Sequence, residues 1–435
     1  MQLLLTGARL LGRENLVSLW CDGGMIAGVE ADPARVPKGP FDRTVDVKGR
    51  LLLPAFVNPH LHPDKSLLGD RLMFPGATLE DAVRLTWEFK AAGTADEIAA
   101  RATLAIMECL HAGSTVVRAF ADVDKIGGLK PVKGLIKMRE QLRGLVDVQV
   151  VAFPQEGLLR PEGDMGLMRE AMKEGADIVG GLPWYEHGDE NARKHVDLVM
   201  ELAVELDRDV HFLADDTDDP TSRTLEYLAL RTLELGWQGR VTASHCGALA
   251  AYDHTHAARV IALVKEAGVT ICSNPHISLV MDGVRDRGLI RRGITRVEEL
   301  LDAGVNVCAG QDDIDDPYYP FGRGDQLEVA SFAAHVARLT KPEQIQTCLH
   351  MVTFNAARAL RLPDYGLEAG CRADLVVLEG RTPREAIRLQ SPRPYVIKAG
   401  RVVIENRLET IASRPGDIDP PDHPSRQPGV LDRPK

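Results

Sequence analysis

The sequence predicts an α/β fold, a (β/α)8 barrel of the TIM type flanked by a small composite β-sandwich built from both chain ends. Three observations predict it. First, eight apolar runs of strand length recur at 51–59, 115–121, 146–153, 177–181, 209–213, 240–244, 269–273 and 305–309. Second, amphipathic stretches alternate with them, among them 96–111, 166–174, 193–205, 221–235, 256–267 and 295–303, which is the pattern of parallel βα units. Third, short Gly-punctuated strands at 2–5, 16–21, 25–29 and 44–46 have a counterpart at 373–378 and 396–403, as two halves of one unit closed around an insertion. The expected partition is 1–52 and 363–412 for the sandwich and 53–362 for the barrel. Residues 413–435, rich in Pro and Asp, form an expected extended tail.

Bulk properties exclude several classes. The 435 residues carry a formal net charge of -11 without a basic cluster or interleaved aromatics, so a nucleic acid is not an expected partner. Seven cysteines (Cys21, Cys109, Cys246, Cys272, Cys308, Cys348, Cys371) contain no CxxC pair, and an odd number argues against a disulfide framework. No apolar run is long enough to span a membrane, and residues 1–11, with Arg9 among them, are too short for a signal peptide. The expectation is a cytoplasmic protein without a membrane partner.

A parallel barrel builds its active site from the C-terminal ends of its strands, and that rule filters the polar residues. After successive runs come His60 and His62, then Asp122, Gln155 and Glu156, Trp184 and Glu186, His211, His245, Asn274 and His276, and lastly Asp312 and Asp313. Polar residues are ordinary at a barrel mouth, but five of these groups are suited to hold or work beside an ion. On a strand, side chains two apart point the same way, so His60 and His62 can reach one ion. With His211 and Asp312 they make three imidazoles and a carboxylate, a set for one divalent ion, zinc or iron foremost and manganese or cobalt as well. Such an ion acidifies a water. Asp312 is then placed to take the water's proton, and His245 to stabilise the developing oxyanion or share that proton. A second ion is not expected, since 177–181 supplies no bridging lysine. Trp184 either stacks on a planar ring or packs, and His276 and Asn274 either contact a substrate or satisfy loop backbone. His111, His195, His335 and His350 in helices, and His254 and His256 at a helix start, read as structural.

Several motifs carry a resemblance to a known family. They are His60-Leu61-His62, Phe153-Pro154-Gln155-Glu156-Gly157, Thr242-Ala243-Ser244-His245, Arg292-Gly293-Ile294-Thr295-Arg296-Val297, and Gln311-Asp312-Asp313 with Asp316-Pro317-Tyr318-Tyr319-Pro320-Phe321-Gly322. Together they resemble the cytosine deaminase branch of the amidohydrolase superfamily, over nearly the whole chain. The resemblance implies ligands at His60, His62, His211 and Asp312, a substrate-amide contact at Gln155, a water-polarising histidine at His245, and an acidic residue near substrate at Asp313. It also implies iron or zinc and a homo-oligomer. The stretches Asp64-Lys65-Ser66 and Asp177-Ile178-Val179-Gly180-Gly181 resemble hydrolases that remove alkylamines from triazine rings.

One departure matters. Three residues after the fifth-strand histidine the deaminase pattern has a proton-shuttling glutamate, and here that position is Ala214. Asp215 or Asp216, in a segment about two residues longer, is expected to stand in. The resulting expectation is a metal-dependent hydrolase that deaminates a small aminated nitrogen heterocycle. The alternatives are release of an N-alkyl amine or opening of a cyclic amide on a triazine-like ring, or a catalytically silent metal-binding homologue. Base-editing zinc deaminases carry His-X-Glu and Pro-Cys-X-X-Cys signatures, neither of which occurs here.

Overall fold

The computed structural model describes residues 2–69, 79–283, 286–287 and 294–407. Arg292 and Gly293 of the motif above, and the tail 413–435, lie outside them. The compact unit runs to Glu405, and the chain from Asn406 onward is a separate unit.

Among the described residues, eight parallel strands form one sheet in sequential order: β6 (Phe56–Leu61), β7 (Ser114–Asp122), β8 (Asp147–Phe153), β9 (Ile178–Gly181), β10 (Val210–Ala214), β11 (Val241–His245), β12 (Thr270–Ser273) and β13 (Val307–Ala309). Every residue of β6 and of β7 is buried, as parallel strands covered by helices on one face and filled by side chains on the other must be. Helices α1 (Leu79–Ala92) and α2 (Ala95–His111) lie between β6 and β7, and α3 (Lys130–Gln141) leads to β8. Next come α4 (Met165–Glu174), α5 (Asp189–Leu206), α6 (Thr224–Glu234) and α7 (His254–Glu266), each in a crossover between strands. The sheet closes on itself where Leu61 bridges Asp312 in parallel, with His62 N donating to Asp312 O and Asp312 N to His60 O, both at 2.9 Å. This is the expected barrel.

Two four-stranded sheets complete the fold. One orders β3 (Met25–Glu30), β2 (Val17–Asp22), β1 (Leu3–Ala8) and β4 (Arg43–Asp46). The other orders β16 (Arg401–Glu405), β15 (Tyr395–Lys398), β14 (Leu375–Leu378) and β5 (Leu51–Pro54). Leu3, Leu5, Leu19, Leu52, Leu375 and Ile397 meet in one core, so both chain ends bury a shared apolar face. The strand expected over 51–59 is therefore two. Leu51–Pro54 pairs antiparallel with β14, and at Ala55, whose N donates to Asp374 O, the chain crosses into the barrel. An apolar run carries no mark of such a switch, since both strands are buried.

All seven cysteines are free, six of them buried. No described helix is long and apolar enough to cross a membrane. Lys398 fastens the terminal strands to the barrel: its buried Nζ donates to Asp374 Oδ2 at 2.7 Å, Asp147 Oδ2 at 2.8 Å and Thr115 O at 3.3 Å. Lys398→Met leaves the buried Asp374 with only Arg372, 3.8 Å away, as a cation and is expected to cost about 3 kcal/mol, read as a lowered denaturant midpoint. An unchanged midpoint contradicts this.

Candidate metal and active site

The site begins where the barrel closes. His60 and His62, two apart on and just after β6, bring Nε2 to Nε2 at 3.1 Å, and Asp312 Oδ1 lies 3.1 Å from the first and 3.5 Å from the second. Asp312 reaches them from the far side of the seam with φ of +70°, a left-handed backbone rare for a residue with a side chain. Its two backbone bonds to β6 hold it there. Burial favours the neutral acid at Asp312, but His60 and His245 outweigh that and hold its pKa well below the ordinary carboxylate range. Asn274 Nδ2 stands between, 3.2 Å from both Asp312 Oδ2 and His245 Nε2 and 3.3 Å from His60 Nδ1.

His211 is beside this group rather than in it. Its Nδ1 faces the guanidinium of Arg118, a donor only, at 3.3 Å, which assigns the hydrogen to Nε2. That nitrogen lies 2.6 Å from Ser244 Oγ, and Ser244 Oγ lies 2.7 Å from His60 Nδ1. Two of the three donor groups that converge within 4.8 Å among the described residues contain Asp312: His60 with His245 and Asp312, and His62 with Asp312 and Asp313; the third is His62 with Asp64 and Asp122. Burial, with Arg118 beside it, lowers the His211 pKa strongly, so its ring is neutral. Arg118, 1 % exposed inside the barrel, escaped sequence reasoning, because a cation within an apolar strand reads as an outward residue.

The two aspartates proposed for the vacant acid part company. Asp215 is corrected to a structural residue. It is fully buried and turns away at φ +47° to accept bonds from Thr224 N (2.7 Å), Thr224 Oγ1 (2.6 Å), Leu225 N (3.1 Å), Ser222 Oγ (2.6 Å) and Tyr252 Oη (3.2 Å). It caps α6 from a distance, accepting from the backbone N–H groups of its first two residues. Asp216 faces the site, its Oδ1 3.2 Å from His245 Nδ1, an ion-pair contact that is not aligned as a hydrogen bond. Burial and then the charge of Asp312 push its pKa up to about 7. His245 is neutral, its pKa lowered by burial.

The expected substrate residues surround these groups. Gln155 is half-buried after β8, and its Oε1 accepts from Lys65 Nζ at 2.8 Å. Asp313 is buried, its pKa raised by burial and by Asp316 and Asp312, while that of Asp316 sits at about 6. His276 is buried with no partner for either ring nitrogen, and its ring centroid is 4.3 Å from that of Phe332. Burial takes its pKa to about 4, so it offers one donor and one acceptor. Trp184 is half-buried against the cluster of Phe120, Phe153 and Leu213. Phe120 stacks on His60 at 4.1 Å, so Trp184 lies one aromatic layer from the metal donors. It also lines a pocket of about 280 Å³ with Arg193, Thr217 and Tyr227, and so both packs and faces open space.

The model of the amidohydrolase family matches residues 76–404. The crystal structure of 5-methylcytosine deaminase from Klebsiella pneumoniae liganded with 5-fluorocytosine superposes with a TM-score of 0.89 at 35% identity, over 95% of this chain and 99% of that one. N-isopropylammelide isopropyl amidohydrolase of Pseudomonas sp. (strain ADP) is 31% identical over 93% of this chain and 98% of its own. Pterin deaminase of Rhizobium rhizogenes is 28% identical over 82% of each.

The two aspartates make a paired test. Asp215→Ala is expected to lower stability by at least about 2 kcal/mol, because four donors lose their acceptor while Tyr252 keeps Ser222 O. Asp216→Ala is expected to melt within about 0.5 kcal/mol of the parent or above it, since the fold disfavours that carboxylate. Denaturant midpoints at pH near 7.5 check both, and equal losses contradict the assignment.

Proposed function

The chain belongs to the amidohydrolase family, whose members are metal-dependent hydrolases, and from that premise we propose that it hydrolyses an exocyclic C–N bond of a small aminated nitrogen heterocycle and releases ammonia. The observation that carries this reading is the Asp216–His245 pair set against Asp312, because it restores the proton-handling acid that Ala214 lacks.

The donors fit a divalent ion: two imidazole nitrogens and a carboxylate oxygen face one another at 3.1 to 3.5 Å. His60, His62 and Asp312 would hold it, with His211 joining them only if its Nε2 gives up both its hydrogen and its contact with Ser244, and zinc or iron suits the set. When bound, the ion supplies Lewis acidity and a water acidified towards a pKa of about 7. The chain's own residues do the rest. Gln155 and the neutral His276 orient the ring through donors and acceptors, and Trp184 offers it an aromatic face. Asp312 Oδ2 is placed to take a proton from a water beside it, whose oxygen would then bond to the ring carbon that carries the amine. His245 Nε2, 3.5 Å from Asp312 Oδ2, accepts the proton, and Nδ1 releases one to Asp216 Oδ1, 3.2 Å away. Asp216 in its acid form returns it to the ring nitrogen or the leaving amine, and the C–N bond breaks.

A second reading keeps this machinery and changes the leaving group to an alkylamine. The 31% identity to N-isopropylammelide isopropyl amidohydrolase favours it. Metal-loaded protein assayed for ammonia and alkylamine against cytosine, isoguanine, pterin, creatinine, ammelide and N-isopropylammelide decides between them. Neither product from any ring, at full metal occupancy, would leave a binding protein instead.

Two further outcomes are expected. Asp312→Asn retains the fold but loses turnover by at least about a thousandfold, whereas His60→Ala loses bound metal, measured by elemental analysis. Asp216 supplies the pH dependence. Its pKa rises on folding from the usual 3.8 to about 7, so its contribution to stability is complete below the lower value and lost as pH rises through the upper. Asp216→Asn does not titrate. In metal-free protein its melting temperature is therefore expected to gain on the parent's between about pH 5 and pH 8. A difference that stays flat with pH would overturn the assignment.

A further inference from the structure

The mechanism leaves unused a set of buried charges against His62. Nitrogen and carboxylate atoms of His62, Asp64 and Asp122 lie within 4.8 Å of one another, yet Asp122 is already engaged. One of its oxygens accepts from Lys65 Nζ and the other from Lys90 Nζ, each at 3.0 Å. Lys90, on α1, donates also to Asp124 at 2.6 Å and Glu156 at 2.9 Å, so all three of its N–H bonds end on carboxylates. Lys65 donates to Asp122 and to Gln155 Oε1, and its ammonium lies 5.9 Å from the centre of the Tyr318 ring. Burial works against charge on both lysines, but the carboxylates outweigh it and both stay cationic.

We propose that Lys65, anchored through Asp122 to Lys90, is a positioning residue that fixes Gln155 in one amide orientation, so that this side chain offers the ring hydrogen-bond donors only. The consequence is a preference for rings that carry a carbonyl oxygen, rather than a second amino group, at the position that Gln155 Nε2 meets. This rests on the hydrolase reading above. A free glutamine flips to suit either partner, because its amide presents an acceptor at one end and donors at the other. An ammonium has no acceptor, so Oε1 must face Lys65, and a flip would set NH2 against NH3+. The opposite end, Nε2, has no protein partner among the described residues. An oxo group satisfies it. An amino group there leaves donors facing donors, a loss of about tenfold to a hundredfold in affinity.

Ammelide and melamine make the test, because both carry a leaving amino group while oxo groups on the first are amino groups on the second. Dissociation constants come from calorimetry on the metal-free full chain, and kcat and KM from the metal-loaded enzyme. The parent is expected to prefer ammelide by at least about tenfold in binding. Lys65→Met and Lys90→Gln are expected to shrink that preference to about threefold or less, through KM rather than kcat, with metal content unchanged, and Lys65→Arg to restore it. Should the lysine variants not fold, Gln155→Glu decides: an acceptor-only side chain that keeps the Lys65 contact is expected to invert the preference. A parent without preference, a preference undiminished in folded Lys65→Met, or no inversion in Gln155→Glu overturns the proposal. A binding preference as expected with no turnover of any ring would sink the hydrolase reading and leave this one standing.

Discussion

The backbone ladder that closes the barrel is the interaction on which the site depends. Asp312 N to His60 O and His62 N to Asp312 O join the last strand to the first, and the same residues carry the side chains that face one another at the mouth. Neighbouring side chains reinforce this seam. Gln326 Nε2 donates to Val57 O at 2.8 Å and Ala309 O at 3.1 Å, and Asn58 Oδ1 accepts from Gln311 N at 3.3 Å. Gly310 is required there, since a methyl group would sit 2.7 Å from His60 Cβ. Closure of the fold and assembly of the donor set are thus one event. A strand-pairing error at this seam would separate His60 from Asp312 entirely.

Electrostatics at the mouth divides by partner rather than by depth. Asp312 and Asp122 are more deeply buried than Asp216, whose side chain is 33% exposed, yet the first is held as an anion chiefly by His60 and the second by Lys65 and Lys90, whereas Asp216 has a neutral imidazole beside it and the charge of Asp312 opposing it. Two carboxyl groups on opposite nitrogens of one histidine therefore differ in affinity for a proton. In the proposed relay that asymmetry sets the direction, since a proton delivered at Asp312 is better held at Asp216.

What the sequence made legible was whatever recurs with a period or sits at a strand end. Eight strands and the positions of His60, His62, His245, Asp312 and Gln155 follow from alternation and the barrel rule. The crossing at Ala55 did not show, because an edge of the sandwich and a strand of the barrel are both apolar there. Lys90 left no signal either: its partners Asp122, Asp124 and Glu156 lie 32 to 66 residues away, and a lysine on an amphipathic helix reads as solvated. Nor could spacing tell Asp215 from Asp216, which differ by one backbone turn.

That turn has a physical origin in strand parity. Along β10, Leu213 joins the inner cluster of Phe120 and Phe153, whereas Phe212 and Ala214 pack in the outer core beneath the helices. Position 214 remains in register with His245 and so still belongs to the strand, where an outward side chain meets apolar neighbours and must be small. A glutamate there would be buried away from the site. The chain leaves the sheet only at Asp215, whose positive φ and bonds to the start of α6 reverse its direction, and the next residue is delivered towards His245. The carboxyl that meets His245 therefore sits on the turn beyond the strand and not on the strand itself. Asp215 is what brings Asp216 to that place, so the structural aspartate and the one proposed to handle protons form a single local solution.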